Sequence, residues 1–356
     1  MSEDAFSAYD YPLPPELIAQ VPTEPRDAAR LLVVDRASGG LADSSVAELA
    51  RWLRAGDLMV VNNTRVIPAR LRGRKRDTGA AVEVLLLNRE GPLWRALARP
   101  AKKLRPGTVV EVDAAQDTGL APASVIVEET SSGGEITVSS VDLDREGLEP
   151  YGALPLPPYI HGDPVDPGRY QTTYATIEGS AAAPTAGLHV TSGLRERLVR
   201  AGVGWAELTL HVGLDTFRTP TVDRLDDHRM HREYVRIPAA TRDAIAKTRE
   251  TGGRVVAVGT TSARSLESMG AGRLGGEPMG HDGRLGDLVG WTDLFIRPGH
   301  DWRVVDAMLT NFHVPQTTLM VMVSAFASVE SIRTAYRHAI DQRYRFLSFG
   351  DAMLII

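Results

Sequence analysis

Between residues 68 and 150 the chain changes texture, and this interruption limits the folds open to it. Five short segments rich in apolar and β-branched residues succeed one another there: AVEVLLL (81–87), LWRALAR (93–99), TVVEV (108–112), ASVIVEE (123–129) and EITVSSV (135–141). Turn residues separate them, among them Gly91-Pro92, Pro106-Gly107 and Gly133-Gly134, and no helical period runs through the stretch. Strands spaced this closely predict a small antiparallel barrel or sandwich.

On both sides of that stretch helices and strands alternate. Ser45 and Glu48 form a capping-box pattern ahead of the apolar positions Val46, Leu49, Ala50 and Leu53, and DLMVV (57–61) then reads as a buried strand. After the proline-rich LPLPPYI (154–160), SGLRERLVRAG (192–202) predicts a helix before the strand WAELTLHV (205–212). PAATRDAIAKTRETGG (238–253) predicts another before RVVAV (254–258), and the chain ends on the strand DAMLII. The arrangement is an α/β domain with a β insertion: residues 1–67 and 151–356 form the discontinuous catalytic domain and 68–150 the inserted one. A length of 356 residues accommodates both.

With 43% apolar and 24% charged residues, the composition is that of a soluble globular protein. The longest apolar run, LMVMVSAFA (319–327), is about half a membrane span, and the acidic N-terminus lacks an apolar signal core, so a cytoplasmic protein is expected. Cysteine is absent, which excludes disulfides, cysteine-ligated zinc, iron–sulfur clusters and a thiol nucleophile. The net charge of −5 gives no global attraction for nucleic acid. Locally, RVIPARLRGRKR (65–76) gathers Arg65, Arg70, Arg72, Arg74, Lys75 and Arg76, and RPAKKLR (99–105) adds more cations. These runs are either solvated hairpin faces or a phosphate-contacting surface.

Several stretches carry chemistry-bearing residues. GAGRLG (270–275) has the letters of a dinucleotide fingerprint, but SARSLESM before it reads as helix, and Pro278 after it blocks the helix that the motif would have to open. In VVAVGTTSARSLES (255–268) a strand runs into Gly259, and Thr260, Thr261 and Ser262 open a helix. Free N–H groups there suit a carboxylate or phosphate, with Arg264 placed to assist; an ordinary capped turn is the alternative. AAAPTAGLHV (181–190) brings Pro184, Thr185, Gly187 and His189, and TNFHVPQTT (310–318) brings Asn311 and His313, as small-residue and amide-rich loops. Asn62, Asn63 and Arg65 come at the end of a strand, where α/β ligands bind. In DHRMHREY (227–234), His228 and His231 lie three apart, and the nearby LTLHVGLDTF (208–217) adds His211 and Asp215. A metal pair, proton-transfer groups and a solvated helix face are all compatible with that spacing.

Taken together, YPLPPELIAQVPTEPRDAARLL, GDLMVVNNTRVIPARL, LPLPPYI, AAPTAGLH, the H-x-M-H-x-E-Y string, VGTTSARSLES, TNFHVPQTTLMVMVSAFA and YRFLSFGDAMLI resemble the S-adenosylmethionine:tRNA ribosyltransferase-isomerase family of queuosine biosynthesis. The resemblance runs from about residue 9 to the C-terminus, and only in texture through 76–150. It implies a barrel-like α/β large domain interrupted by a small antiparallel β-barrel. It also implies transfer and isomerisation of the ribosyl part of S-adenosylmethionine onto the 7-aminomethyl-7-deazaguanine base of tRNA, giving epoxyqueuosine with release of adenine and methionine. S-adenosylmethionine is then a co-substrate, with no metal and no cofactor. The expected partner is the tRNA anticodon stem–loop, with no membrane, for a monomer or weak homo-oligomer.

Such chemistry moves several protons near neutrality, which suits imidazoles. On this basis His211, His228 and His231 are the expected proton-transfer groups, with Glu233 as orienter or second base. The Thr260–Arg264 turn and the loops of Pro184–His189 and Asn311–His313 are expected to bind substrate, as are Asn62, Asn63 and Arg65. Arg70, Arg72, Arg74 and Lys75 would face the RNA. The sequence departs from the family pattern at Leu214-Asp215, where a glycine is usual before Thr-Phe, at Val190 in place of phenylalanine, and at Arg232 in place of serine. These departures keep open a relative that acts on a non-tRNA nucleoside. A catalytically silent RNA-binding protein is the third reading.

Overall fold

The computed structural model describes residues 3–131, 134–161, 166–213, 220–276 and 286–356. The chain divides into two compact units. One comprises Met1–Thr64, Pro157–Ile177 and Ala183–Ile356; the other comprises Arg65–Leu156 with Glu178–Ala182. The insertion expected over 68–150 thus takes its place within a slightly longer segment that also recruits a short later piece.

The larger unit is built on a ten-stranded mixed sheet. Its centre is four neighbouring parallel strands, in the order Gly204–His211, Leu58–Asn62, Val255–Val258 and Ala307–Asn311. Every residue of the last three is buried, as strands covered on both faces require. Ala352–Ile355 runs antiparallel to Ala307–Asn311 and parallel to Arg30–Val34. On the other flank, Glu233–Ile237 and Leu288–Thr292 continue the sheet antiparallel. The helices Ser192–Arg200 and Ala239–Glu250 lead into central strands, as their apolar spacing predicts. Asp57 ties the starts of two of these strands together: its carboxylate accepts the Arg254 guanidinium at 2.6 Å and the backbone N–H groups of Arg54 and Arg254. Because the four central strands are parallel, their C-terminal ends converge on one edge, which carries Asn62, His211, Gly259 and Asn311.

The smaller unit is a closed six-stranded antiparallel barrel. Its strands run in the order Arg70–Lys75, Ala81–Glu90, Leu93–Arg99, Glu135–Ser139, Ala123–Thr130 and Val109–Val112, and the last pairs back onto the first. Leu71, Val84, Leu86, Val110, Val125 and Val127 fill its interior. The fold class read from the sequence, an α/β domain with an inserted β-barrel, is the one observed.

Two local expectations differ. Ser45 does not cap a helix; Val46–Arg51 is a 3₁₀ segment, and it is the Ser44 hydroxyl that meets Glu48, at 3.1 Å. The DHRMHREY stretch is not a helix either. A 3₁₀ turn, Leu225–Asp227, gives way to extended chain at His228 and then to the Glu233–Ile237 strand. The helix-face reading of the two histidines is thereby removed. GAGRLG begins as the helix Thr260–Gly270 ends, so it lacks the strand-to-helix setting of a dinucleotide turn. Leu214-Asp215 lies outside the described residues.

Candidate active site

At the convergent strand ends, within the larger unit, lies a cavity of ≈ 220 Å³. Gly259, with φ 86°, turns the Val255–Val258 strand into the helix Thr260–Gly270, so Thr260 and Thr261 stand at the cavity wall. Pro184 and Thr185 line another side, and Asn311 and His313 a third. Among the described residues no Asp, Glu, Lys or Arg lines it.

The polar groups of this wall are fixed by their neighbours. Asn311 donates its amide N–H to the Leu347 carbonyl at 3.2 Å and lies 3.1 Å from His189 Nε2. Burial pushes His189 down to about 4, so the ring is neutral and that nitrogen serves as acceptor. Burial likewise lowers His313 to about 3; its Nε2 is 2.9 Å from the Thr310 hydroxyl, and its backbone N–H donates to Tyr336. The polar groups of this largely apolar wall are therefore uncharged at neutral pH.

A second cavity of ≈ 30 Å³ adjoins the first, with Thr260, Thr261 and Leu319 common to both walls. Here the chemistry changes. Glu233, 3% exposed, accepts from Arg264 Nη1 at 2.5 Å and from the Gly213 N–H at 3.2 Å. Its Oε1 lies 3.2 Å from His231 Nε2, an ion-pair distance, though the ring N–H is not aligned for a hydrogen bond. Arg264 also donates to the carbonyls of His231 (2.8 Å) and Thr292 (3.3 Å), so it clamps the 231–233 segment to the first turn of its helix. Burial alone would raise the Glu233 carboxyl, but Arg264 and then His231 outweigh it and hold the group below its ordinary value. A buried, ionised carboxylate is the result.

His228 sits beside this cluster, between the rings of Phe6 and Phe295 at 5.6 and 5.3 Å. Burial, then the proximity of His231 and Arg264, lowers its pKa, and its Nε2 is buried without a hydrogen-bond partner. His211 is placed differently. It stacks on Tyr234, its cross-strand partner, with ring centroids 5.5 Å apart, and its Nδ1 meets the Thr64 hydroxyl at 2.9 Å. Successive residues of a strand face opposite sides, so Tyr234 and His211 occupy the face away from Glu233. The structure thus gathers His231, Glu233, Arg264 and His228, and sets His211 apart from them.

Other expected site residues serve the scaffold. Asn62 bonds the backbone of Leu210 through both its amide atoms, at 2.9 and 3.0 Å. Asn63 joins Thr209 and Glu207. Ser262 donates to the Val258 carbonyl at 2.8 Å, and Gly187 packs on the Tyr174 hydroxyl. Arg65 is exposed and belongs to the smaller unit. There the basic run splits across a strand: Arg72 faces Glu83 on the neighbouring strand, Arg70 bonds the Leu156 carbonyl, and Arg74 that of Gly79. Lys75, on the other face, is largely covered and pairs with Asp77 at 3.4 Å. Sequence reasoning missed Tyr159 and Ser348, which bond each other at 2.7 Å on the cavity wall. Both lie in the LPLPPYI and YRFLSFGDA strings, and that was the only signal for them.

Among the described residues no cluster of three or more His, Cys, Asp or Glu is arranged to hold a metal ion, and no helix is long and apolar enough to cross a membrane. A neutral cavity at parallel strand ends, joined to a buried charged cluster, defines an α/β protein with a cavity at its sheet edge, where ligands of open α/β sheets bind. More particularly, the chain belongs to the queuosine biosynthesis protein family, which matches residues 6–355. It is similar to the crystal structure of S-adenosylmethionine tRNA ribosyltransferase from Thermotoga maritima, with 36% identity, covering 98% of this chain and 100% of that one, at a TM-score of 0.56.

Proposed function

We propose that the protein transfers and isomerises the ribosyl moiety of S-adenosylmethionine onto the 7-aminomethyl-7-deazaguanine base of tRNA, yielding epoxyqueuosine, adenine and methionine. The observation that carries the chemistry is the junction of the two cavities at Thr260 and Thr261. A nucleoside is uncharged, and the larger cavity offers it an uncharged wall. A sulfonium is cationic, and the ionised Glu233 lies next door.

The sulfonium acidifies the 5′ C–H of the ribosyl group, and a neutral imidazole is the fitting acceptor for that proton. His231 takes this role in the scheme, with the Glu233 carboxylate 3.2 Å from its Nε2. Arg264 keeps Glu233 ionised and fixed in direction. His228, lowered by burial, is neutral at physiological pH and is the second proton acceptor, for the attacking amine. The neutral donors and acceptors around Asn311 and His313 orient the base that leaves. No resident cofactor takes part in this scheme; S-adenosylmethionine is a co-substrate.

The test is adenine release from S-adenosylmethionine with an anticodon stem–loop bearing the deazaguanine base, against the free base. Release only with the RNA supports the proposal. Release with the free base alone would assign a small-nucleoside acceptor, and none with either would overturn the transferase reading.

A further inference from the structure

The strand that presents Glu233 to the cavities presents something else on its other face. Tyr234 points there, flanked in register by His211 on one neighbouring strand and Trp291 on the other. The three rings form a ladder: His211 and Tyr234 are 5.5 Å apart and nearly parallel, at 16°, and Tyr234 and Trp291 are 5.9 Å apart, edge to face. Exposure grows along it, from the half-buried His211 to Trp291 at 41%. The Arg232 guanidinium lies 5.9 Å over the Trp291 ring. Arg232 is exposed and makes no ion pair with any described residue.

An exposed tryptophan next to a partly covered tyrosine, under an arginine with no ion pair among the described residues, does not suit a solvated sheet face, where Lys, Glu and Thr would cover the strands at less cost. They do suit single-stranded RNA. Every base has a π-face that stacks on Trp, Tyr or a guanidinium, and arginines contact phosphates. Position supports the same occupant. An enzyme that modifies a base must take it out of its stack, and the bases beside it lose a stacking partner. A platform one strand's thickness from the reacting groups, on the strand that carries Glu233, replaces that partner.

We infer that Tyr234, Trp291 and Arg232 form a stacking platform for unpaired RNA-loop bases that flank the reacting one. The inference rests on the tRNA reading above. It places an RNA contact in the larger unit, in addition to any made by the basic strand Arg70–Lys75 of the smaller one.

The test measures steady-state kinetics and equilibrium binding of a deazaguanine-containing anticodon stem–loop to the wild type, Trp291→Ala, Trp291→Phe and Arg232→Ala. The platform predicts that Trp291→Ala raises Kd and the KM for RNA by about tenfold, the loss of one stacked base. The KM for S-adenosylmethionine and the kcat at saturating RNA stay unchanged. Trp291→Phe restores most of the loss, and Arg232→Ala lowers the salt dependence of binding. Arg232→Ala removes no buried group, so it remains informative if Trp291→Ala misfolds. If both arginine and tryptophan variants bind within twofold of an RNA-active wild type, the platform is wrong and the tRNA reading stands. A wild type that turns over free base and binds no stem–loop overturns both.

Discussion

Glu233 and Arg264 bury opposite charges in one place, and their partners decide what each can do. Neither side chain exceeds 5% exposure, so each depends on the other to stay charged. Breaking such a pair from one side leaves a bare buried charge, at a cost of roughly 3–5 kcal/mol. Glu233→Gln should therefore lower the unfolding free energy by about that amount. Urea denaturation measures it, and a loss under ~1 kcal/mol would mean that the pair is solvated. His231 differs, because its Nε2 makes one contact with Glu233, at 3.2 Å, and no hydrogen bond. His231→Ala should cut turnover by ~10²-fold or more with little change in stability, as for a general acid–base group. A loss below threefold would remove it from the proton path. His211 is the contrasting case: its stacking on Tyr234 and bond to Thr64 give it a place on the sheet face opposite Glu233.

At the level of elements, alternation was legible and local capping was not. The strand Leu58–Asn62 and the helix Ala239–Glu250 announce themselves through apolar runs and spacing that burial demands. The 227–234 stretch did not, because two histidines three apart mean helix only if the backbone is helical; here a strand of the large sheet begins within it. The strand Arg70–Lys75 was hidden by its cations, which obscure the inward Leu71 and Gly73. The cavity walls at Pro184 and Thr185 and from Asn311 to His313 could be named from small-residue and amide content. The roles of Asn62 and Ser262 could not, since their partners, Leu210 and Val258, are fixed only by the fold. Gly73 shows how one element closes another. A Cβ there would meet the Glu111 carbonyl at 2.5 Å across the barrel seam. Gly73→Ala should cost about 1–3 kcal/mol of overpacking and speed amide hydrogen exchange at Val110–Val112. Unchanged exchange would show that the seam has room.

For the whole molecule, the buried histidines set how stability depends on pH. His189 and His313 are held at about 4 and about 3 in the folded protein, below the ordinary value of 6.5. Between those values the unfolded chain binds more protons than the native one, so stability is fully present above about pH 6.5 and falls with acidification. Each contributes up to ~1.4 kcal/mol per pH unit in that window. The lowered His211 and His228 add the same sign. Depressed carboxylates such as Glu233 act only at lower pH, and Asp351, raised by burial, acts with the opposite sign, so a decline between pH 6.5 and 5 comes from the histidines. Urea unfolding at pH 7, 6 and 5 should show the decline, with a shallower slope in His313→Gln; a flat profile in the wild type would mean that these rings are protonated when folded.

The parts of the larger unit meet in one claim: a neutral cavity holds the nucleoside while the adjoining ionised cluster faces the sulfonium. A crystal structure of the protein with S-adenosylmethionine bound tests it most directly. The adenine should lie between Asn311–His313 and Pro184–Thr185, with the 5′ carbon within hydrogen-bond or one-water reach of the His231 ring. A nucleoside bound elsewhere, or one whose sulfonium points away from His231 and Glu233, would contradict the account.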